Sequence, residues 1–396
     1  MKKDRKTALC AGREVDTKLV TGGRSEEAYH GFMNPPVFHA STVLYPDADS
    51  IRNRRNKYVY GRRGTPTSEA LENAISELEG GFGTKLTPSG MAAISTALLS
   101  FTSAGDHVLV SDSVYRPTRL FCDTILARYG VETSYFDPLC GADIRSQFQA
   151  NTRLVFAETP GSQSFEVQDI PAIVEAAHAS DILVAMDNTW ATPLFFRPLD
   201  HGVDISILAA TKYVGGHSDL MLGTITVGEA LWPQLHHTYE TLGLCVGPDD
   251  IYLGLRGLRT MGVRLRRHMA SGLEIATWLG GLPEVAHVLH PGLPGTPGHD
   301  LWKRDFSGCS GLFSIILEPV SEKAVDALLD NLEYFGMGYS CGGYESLIVP
   351  FDPTSYRTAT QWPYDAPALR LHVGLEDPKD LKRDLEAGFA CLRAAR

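Results

Sequence analysis

Between about residue 107 and residue 228 the chain sets short, nearly unbroken apolar runs between stretches of helical period. The runs are HVLVSD (107–112), RLVFAE (153–158), ILVAMDN (182–188), DISILAA (204–210) and GTITVG (223–228). Helix-like stretches such as TRLFCDTILARYG and DIPAIVEAAHAS stand between several of them. Strands with so little alternation are covered on both faces, and their alternation with helices predicts a mostly parallel sheet sandwiched by helices, an α/β fold. A helix precedes this region. Thr65 can cap it with Pro66 in first position, Leu71, Ile75 and Leu78 recur at helical spacing, and Gly80–Gly81 end it.

The pattern differs at both ends. NPPVFHASTVLYPDADSIRNRRNKYVYGRRG (34–64) is rich in proline and turn formers and has no sustained helical period, which predicts an extended arm of the kind that wraps a neighbouring subunit. Beyond about 255, LGLRGLRTMGVRLRRHMASGLEIATWLGG predicts one long helical region. A strand GLFSIILEP, a helix through SEKAVDALLDNLEYFG, a strand ALRLHVGLE and a closing helix DLKRDLEAGFACLRAA follow. The expected organisation is an arm (1–62), a large domain (63–257) and a smaller C-terminal α+β domain (258–396), with no internal repeat.

Composition narrows the function. A net charge of −11 argues against nonspecific nucleic-acid or anionic-membrane partners. The basic residues form only short clusters, RNRRNK (52–57) and RLRRH (264–268), expected on solvated faces or against small anions. Seven cysteines without Cys-x-x-Cys spacing speak against a zinc site or a disulfide framework and for a reducing compartment. No apolar stretch has signal-peptide length or approaches the ~18 residues of a membrane helix, so the expectation is a cytoplasmic protein without a membrane partner or a metal.

Candidate chemistry centres on DISILAATKYVGGHSD (204–219), where Lys212 follows an apolar run and precedes an aromatic and two glycines. Alone, such a lysine is either a surface residue past a strand end or a Schiff-base lysine at the mouth of a site. Ligands of open α/β sheets bind outside the carboxyl ends of the strands. That rule adds Asp187 at the end of ILVAMDN, Tyr115 just past HVLVSD, and Ser89, Gly90 and Met91 at the opening of an alanine-rich helix. Each has a plainer reading: a cap for Asp187, a half-buried surface aromatic for Tyr115, a simple turn for the Ser-Gly pair. Their chemistries nevertheless complement one another. A helix N-terminus with free amides suits an anion, Gly90 lets a phosphate approach closely, and Thr211 adds a hydroxyl. A buried carboxylate keeps a pyridine nitrogen protonated, an aromatic stacks on the ring, and a lysine forms the imine. Together these are the fittings for pyridoxal 5′-phosphate.

The motifs YGRRGTPT (60–67), ELEGG (77–81), PSGMAA (88–93), DNTWA (187–191), AATKYVGGHSD (209–219), GLRTMGVRLRRH (257–268), WKRDFSGCSGLFS (302–314), SCGGYESL (340–347) and LRLHVGLED (369–377) occur in one order. From about residue 30 onward the chain resembles the Cys/Met-metabolism branch of fold-type-I pyridoxal-phosphate enzymes, and within it the bacterial cystathionine β-lyases. The resemblance implies that Lys212 holds the cofactor and is catalytic, that Asp187 pairs the ring nitrogen, and that Tyr115 stacks on the ring and takes part in catalysis. It implies a phosphate held by Ser89, Gly90, Met91 and Thr211, with Tyr60 and Arg62 reaching it from a neighbouring subunit of a homotetramer, a dimer of dimers. Arg370 would clamp the substrate α-carboxylate beside Ser340. The implied reaction is carbon–sulfur β-elimination of L-cystathionine to homocysteine, pyruvate and ammonia, a step of methionine biosynthesis. The γ-acting relatives usually carry Tyr-Ser-Arg-x-x-Asn-Pro-Thr in place of YGRRGTPT and serine in place of Ala209, and both differences favour a β-lyase. Cys341 stands where the enterobacterial-type enzyme has tryptophan. It reads as a pocket-lining residue, and its small size leaves open other cysteine S-conjugates or cystine as substrates. A γ-acting relative and a regulatory protein keeping the cofactor fold are the remaining alternatives.

Overall fold

The computed structural model describes residues 13–25 and 29–396; positions 1–12, with Cys10, and 26–28 of the expected arm lie outside the described residues. Seven strands build the large sheet: β1 (Gly83–Thr87), β2 (His107–Ser111), β3 (Glu132–Phe136), β4 (Thr152–Glu158), β5 (Leu183–Asp187), β6 (Ile205–Leu208) and β7 (Gly223–Val227), in the order β1-β7-β6-β5-β4-β2-β3. Only β7 is reversed; it pairs antiparallel with both β1 and β6, while β3, β2, β4, β5 and β6 are parallel neighbours. The strands sort their side chains by parity. Leu109, Val155, Ala157, Val184 and Met186 enter one apolar cluster, whereas Val108, Val110, Leu154, Phe156 and Ala185 enter another on the opposite face. Covering on both faces is what the continuous apolar runs predicted.

Two strands of this sheet escape the apolar pattern. β1 reads GTKLT and lies at an edge; its polar groups are satisfied sideways. Thr84 Oγ1 lies 2.8 Å from both Thr226 Oγ1 and Ser76 Oγ, and the Lys85 ammonium sits 5.1 Å from the ring centres of Trp232 and Tyr239. β3 (ETSYF) forms the other edge with only Phe136 fully inside.

The helix Pro66–Glu79 begins and ends as expected. Thr65 accepts from the Ser68 amide in a reciprocal capping box, and Gly80 closes the helix in the left-handed region at φ 73°. The single helical region expected beyond 255 is instead two helices, Pro248–Leu258 and Met261–Leu279. The break adjoins Gly257, whose bare Cα lies so near the carbonyls of Val214 and Gly215 that a Cβ would stand 2.4 and 2.3 Å from them. The RLRRH cluster is also divided. Arg266 and Arg267 face solvent, but Arg264 and His268 are 5% and 0% exposed, because an i, i+4 pair shares the inward stripe of the helix.

A second sheet, wholly antiparallel, runs in the order β10-β11-β9-β8, from β8 (Val285–Leu289), β9 (Leu312–Leu317), β10 (Leu347–Phe351) and β11 (Ala368–His372). The helix expected through Gly336 stops at Leu329. The Asp384 carboxylate, on the helix Pro378–Ala394, accepts the amides of Glu333, Tyr334 and Phe335 at 2.7, 2.9 and 3.0 Å and folds that stretch into a turn. Within residues 13–62 of the expected arm the chain is not uniformly extended. Val15–Thr21 is a helix docked on its own chain, with Leu19 buried and Arg259 Nη1 donating to the carbonyls of Leu19 and Gly22 at 2.9 and 2.7 Å. Residues 31–47 have no helix, and Phe32, Met33 and Leu44 are exposed. No helix among the described residues is long and apolar enough to cross a membrane.

One buried acid gives the fold a pH signature. Glu79 is wholly buried, and burial pushes its carboxyl up to about 8, with Ser206 and Arg197 pulling it back. The native state therefore keeps it protonated while the unfolded chain ionises at the ordinary value, so its contribution falls away as pH rises from about 4.5 through about 8. Glu79→Gln retains the shape without the titration. Its melting temperature should match the parent's near pH 5 and exceed it by about 2–4 °C or more at pH 8. Melting curves with a pH-independent difference would contradict the assignment.

Candidate active site

The carboxyl ends of β1, β2, β4, β5 and β6 share one edge of the sheet and open into a cavity of about 980 Å³, a size that encloses a cofactor with a small substrate. Lys212 reaches it from a tight turn after β6. Its amide donates to Ala209 O (3.0 Å), Gly215 N to Ala210 O (2.8 Å) and Gly216 N to Lys212 O (2.7 Å). Gly216 has φ 73°, and a Cβ there would lie 1.9 Å from Arg264 Nη1, so the turn is pressed directly on that guanidinium. Arg264 Nη2 in turn donates to Val214 O and Gly257 O at 3.3 and 2.8 Å. The lysine side chain points into the cavity, where Nζ donates to Ser340 Oγ at 2.9 Å. It is not a surface lysine.

Asp187 and Glu158 end adjacent parallel strands in register. Asp187 is 7% exposed, and burial raises its carboxyl above the ordinary value against the pull of Thr189 and Lys212. The Thr189 amide donates to Asp187 Oδ1 at 2.9 Å, and Thr189 Oγ1 accepts from Ala209 N at 2.8 Å, tying β5 to the lysine turn. Glu158 is pushed well up by burial and then by the charge of Asp187, and its Oε2 accepts the Tyr115 amide at 2.7 Å. Tyr115 thus stands at the cavity with a fixed backbone and a half-open ring; burial and Glu158 raise its phenol.

Ser89 caps the helix Gly90–Phe101 by accepting from Ala92 N at 3.0 Å, which leaves the amides of Gly90 and Met91 facing the cavity without helical partners. Gly90 is required sterically, since a Cβ would lie 2.5 Å from the Ala209 Cβ. Thr211 lines the same end, with its hydroxyl donating to Leu222 O (3.0 Å) and accepting from Leu222 N (2.9 Å).

The second sheet supplies the opposite wall. Arg370, on β11, donates to Ser340 O at 3.3 Å, so one serine meets Lys212 with its hydroxyl and Arg370 with its carbonyl. Cys341 lines the wall beside it, and burial raises its thiol against the pull of Lys212 and Arg370, which keeps it protonated. Tyr60 and Arg62 do not join this cavity in the single chain. Tyr60 is half exposed, and Arg62 Nη1 donates to Glu240 O at 2.9 Å.

Sequence reasoning passed over Glu158, Thr189, Arg264 and Gly342, the last lying so close to the lysine backbone that a Cβ would stand 2.7 Å from Lys212 C. Glu158 closes RLVFAE just as Asp187 closes ILVAMDN, so the strand-end rule could have found it. Arg264 was legible as the i, i−4 neighbour of His268 on a helix face. Thr189 and Gly342 act through backbone contacts that leave no pattern in the sequence.

The donor set fits pyridoxal phosphate. A carboxyl raised by burial has use for a cationic partner such as a protonated ring nitrogen, two open amides at a helix N-terminus suit a phosphate, and the lysine amine lies in the same cavity. Comparison with known proteins agrees. The family model for Cys/Met metabolism PLP-dependent enzymes matches residues 16–390. The cystathionine beta-lyase of Escherichia coli is 46% identical over 391 residues, covering 96% of this chain and 99% of its own. An L-alanine/L-glutamate racemase of Wolbachia pipientis is 41% identical over 390 residues, 94% of this chain and 96% of its own. Among solved structures, cystathionine gamma synthase of Xanthomonas oryzae pv. oryzae, in complex with aminoacrylate and cysteine, superposes with a TM-score of 0.90 at 32% identity, covering 97% of this chain and 100% of that one. The chain belongs to the Cys/Met-metabolism family of pyridoxal-phosphate-dependent enzymes.

Proposed function

We propose that the protein is a carbon–sulfur β-lyase that cleaves L-cystathionine to homocysteine, pyruvate and ammonia. Near full-length likeness to cystathionine beta-lyases supports the reading, and the observation that carries it is the convergence of Lys212 and Arg370 on Ser340 inside one cavity. On this reading residues 63–257 form the cofactor domain and residues 258–396 the domain that carries the carboxylate clamp.

Lys212 would bond the cofactor aldehyde, Asp187 would face the ring nitrogen, and Tyr115 would stack on the ring. The amides of Gly90 and Met91, with Ser89 and Thr211 beside them, would hold the phosphate. Pyridoxal phosphate, when bound, supplies the electron sink that lets a Cα–H bond and then the Cβ–S bond break. The protein's own part is placement and proton traffic. Arg370, its guanidinium steadied by Ser340 O, binds the α-carboxylate and fixes which Cα bond faces the lysine. The Lys212 amine takes the Cα proton and returns it to the departing sulfur, a transfer worth about 10²–10⁴-fold in rate. Water then hydrolyses the three-carbon remainder to pyruvate and ammonia. Cys341, a small protonated thiol, acts as wall and not as nucleophile.

The active unit is a homo-oligomer, in this reading a dimer of dimers. Support comes from Phe32, Met33 and Leu44, which are 73%, 62% and 85% exposed on a stretch without helix, a costly arrangement for a lone chain. Tyr60 and Arg62 lie outside their own chain's cavity and would complete the phosphate site of a second copy.

Lys212→Ala should abolish both pyruvate release from cystathionine and the visible absorption of the bound cofactor; normal turnover by the variant would overturn the mechanism. Arg370→Ala should cut kcat/KM about 10–100-fold, mostly through KM, as expected for a lost charged hydrogen bond. An unchanged KM would remove the clamp. Product analysis separates the neighbouring chemistries: 2-oxobutyrate marks γ-elimination, and D-alanine formed from L-alanine marks racemisation, the reaction named for the relative from Wolbachia pipientis.

A further inference from the structure

Three cations line the cavity, and the proposed reaction uses two of them. Lys212 donates to the Ser340 hydroxyl and Arg370 to the Ser340 carbonyl. The third, Arg116, follows Tyr115 directly and makes neither a hydrogen bond nor an ion pair among the described residues. It is held all the same. Its guanidinium carbon lies 5.5 Å from the centre of the Tyr356 ring, within reach of a cation–π contact. Tyr356 donates its hydroxyl to Gln163 Oε1 at 2.5 Å, and the Gln163 carbonyl accepts Ser314 Oγ of β9 at 2.7 Å. The ring that steadies Arg116 is therefore fixed from below, and Tyr356 and Gln163 line the same cavity.

Tyr356 belongs to the connection between β10 and β11, and a buried carboxylate latches that connection to the large sheet. Asp112, the residue after β2, is 0% exposed. It accepts the amides of Thr358, Ala359 and Thr360 at 3.0, 3.1 and 2.8 Å and the Thr360 hydroxyl at 2.9 Å, while Arg119 donates to it from its own side. Arg357 Nη1 pairs with Glu166 Oε1 at 2.7 Å and adds a second fastening. The wall that carries Tyr356 is thus in place before any substrate arrives, which lowers the cost of binding there.

The same connection brings Asp352 to the cavity. Asp352 Oδ1 accepts the amide and hydroxyl of Thr354 at 2.9 and 2.7 Å, and its Oδ2 has no hydrogen-bond partner among the described residues. Burial raises the Tyr356 phenol, Arg357 and Arg116 pull it back, and Asp352 adds to the rise, so opposite charges flank one ring. A guanidinium and a carboxylate set apart in this way complement the two charges of an amino acid. We propose that Arg116 and Asp352, held on either side of Tyr356, form a second subsite that binds the amino-acid group on the leaving half of the substrate, Arg116 taking its carboxylate and Asp352 its ammonium. Such a subsite selects thioethers with an amino acid on both sides of sulfur over simple S-alkyl cysteines.

The inference rests on Arg370 holding the reacting half, and a kinetic and a binding measurement test it. In steady-state kinetics of the holoenzyme, Arg116→Gln should lower kcat/KM for L-cystathionine about tenfold more than for S-ethyl-L-cysteine, mostly through KM. Arg116→Lys keeps the charge without the fork and should recover part of the loss. Equal losses on the two substrates, or an undiminished value for cystathionine, overturn the subsite. Binding is read without turnover by diaminosuberate and norleucine, in which a methylene replaces the sulfur of those two substrates and no thiolate can leave. In calorimetry the parent holoenzyme should bind diaminosuberate about tenfold more tightly than norleucine, and Arg116→Gln should bring the two within about threefold. A preference that survives in the variant, or is absent from the parent, overturns the subsite as well. An Arg116-dependent preference in a holoenzyme that releases no pyruvate from cystathionine supports the subsite and sinks the proposed activity alone.

Discussion

Everything at the site depends on how the chain leaves β6. Four residues past the strand, Lys212 must project into the cavity while its backbone doubles back, and the turn that achieves this has almost no slack. Gly216 rests on Arg264, Gly257 lies against the carbonyls of Val214 and Gly215, and Gly342 covers Lys212 itself. Each contact is a distance at which a Cβ could not stand. The lysine is therefore aimed by close packing from three directions, one of them the Arg264 guanidinium, and its Nζ needs only one hydrogen bond, to Ser340, to be placed.

The second constraint is electrostatic. Asp187 and Glu158 end neighbouring strands in register, so two acids are forced together in a buried place. Each is raised by burial, and Glu158 further by the charge of Asp187. The strain is divided by use: Glu158 spends an oxygen on the Tyr115 amide, and Asp187 is held by Thr189 at the cavity floor. A cationic ring nitrogen, as proposed for the bound cofactor, would relieve that arrangement.

Much of this was legible in the sequence because local rules act there. Continuous apolar runs mark doubly covered strands, Thr65-Pro66 and Gly80 mark a helix's ends, and the strand-end rule places Asp187, Lys212 and Tyr115 at one edge. Where the sequence misled, a distant partner intervened. β1 and β3 lack an apolar run because edge strands need none, and the hydroxyls of Thr84 and Thr226 satisfy each other across the ladder. The helix through Gly336 is cut short by Asp384, some fifty residues away in the chain. RLRRH reads as a solvated basic cluster until a helix turns Arg264 and His268 inward.

The sequence by itself determined the fold class, the sheet edge at which the cavity opens and the kinds of side chain offered there, since periodicity, capping and strand-end position are properties of a few consecutive residues. Tertiary structure alone decided which groups meet. That Ser340 serves Lys212 and Arg370 at once, that Gly342 seals the lysine turn and that Tyr60 and Arg62 stand outside their own cavity are matters of ångströms between segments far apart in number, 158 residues from Lys212 to Arg370. No local pattern encodes such distances, because packing of two sheets sets them.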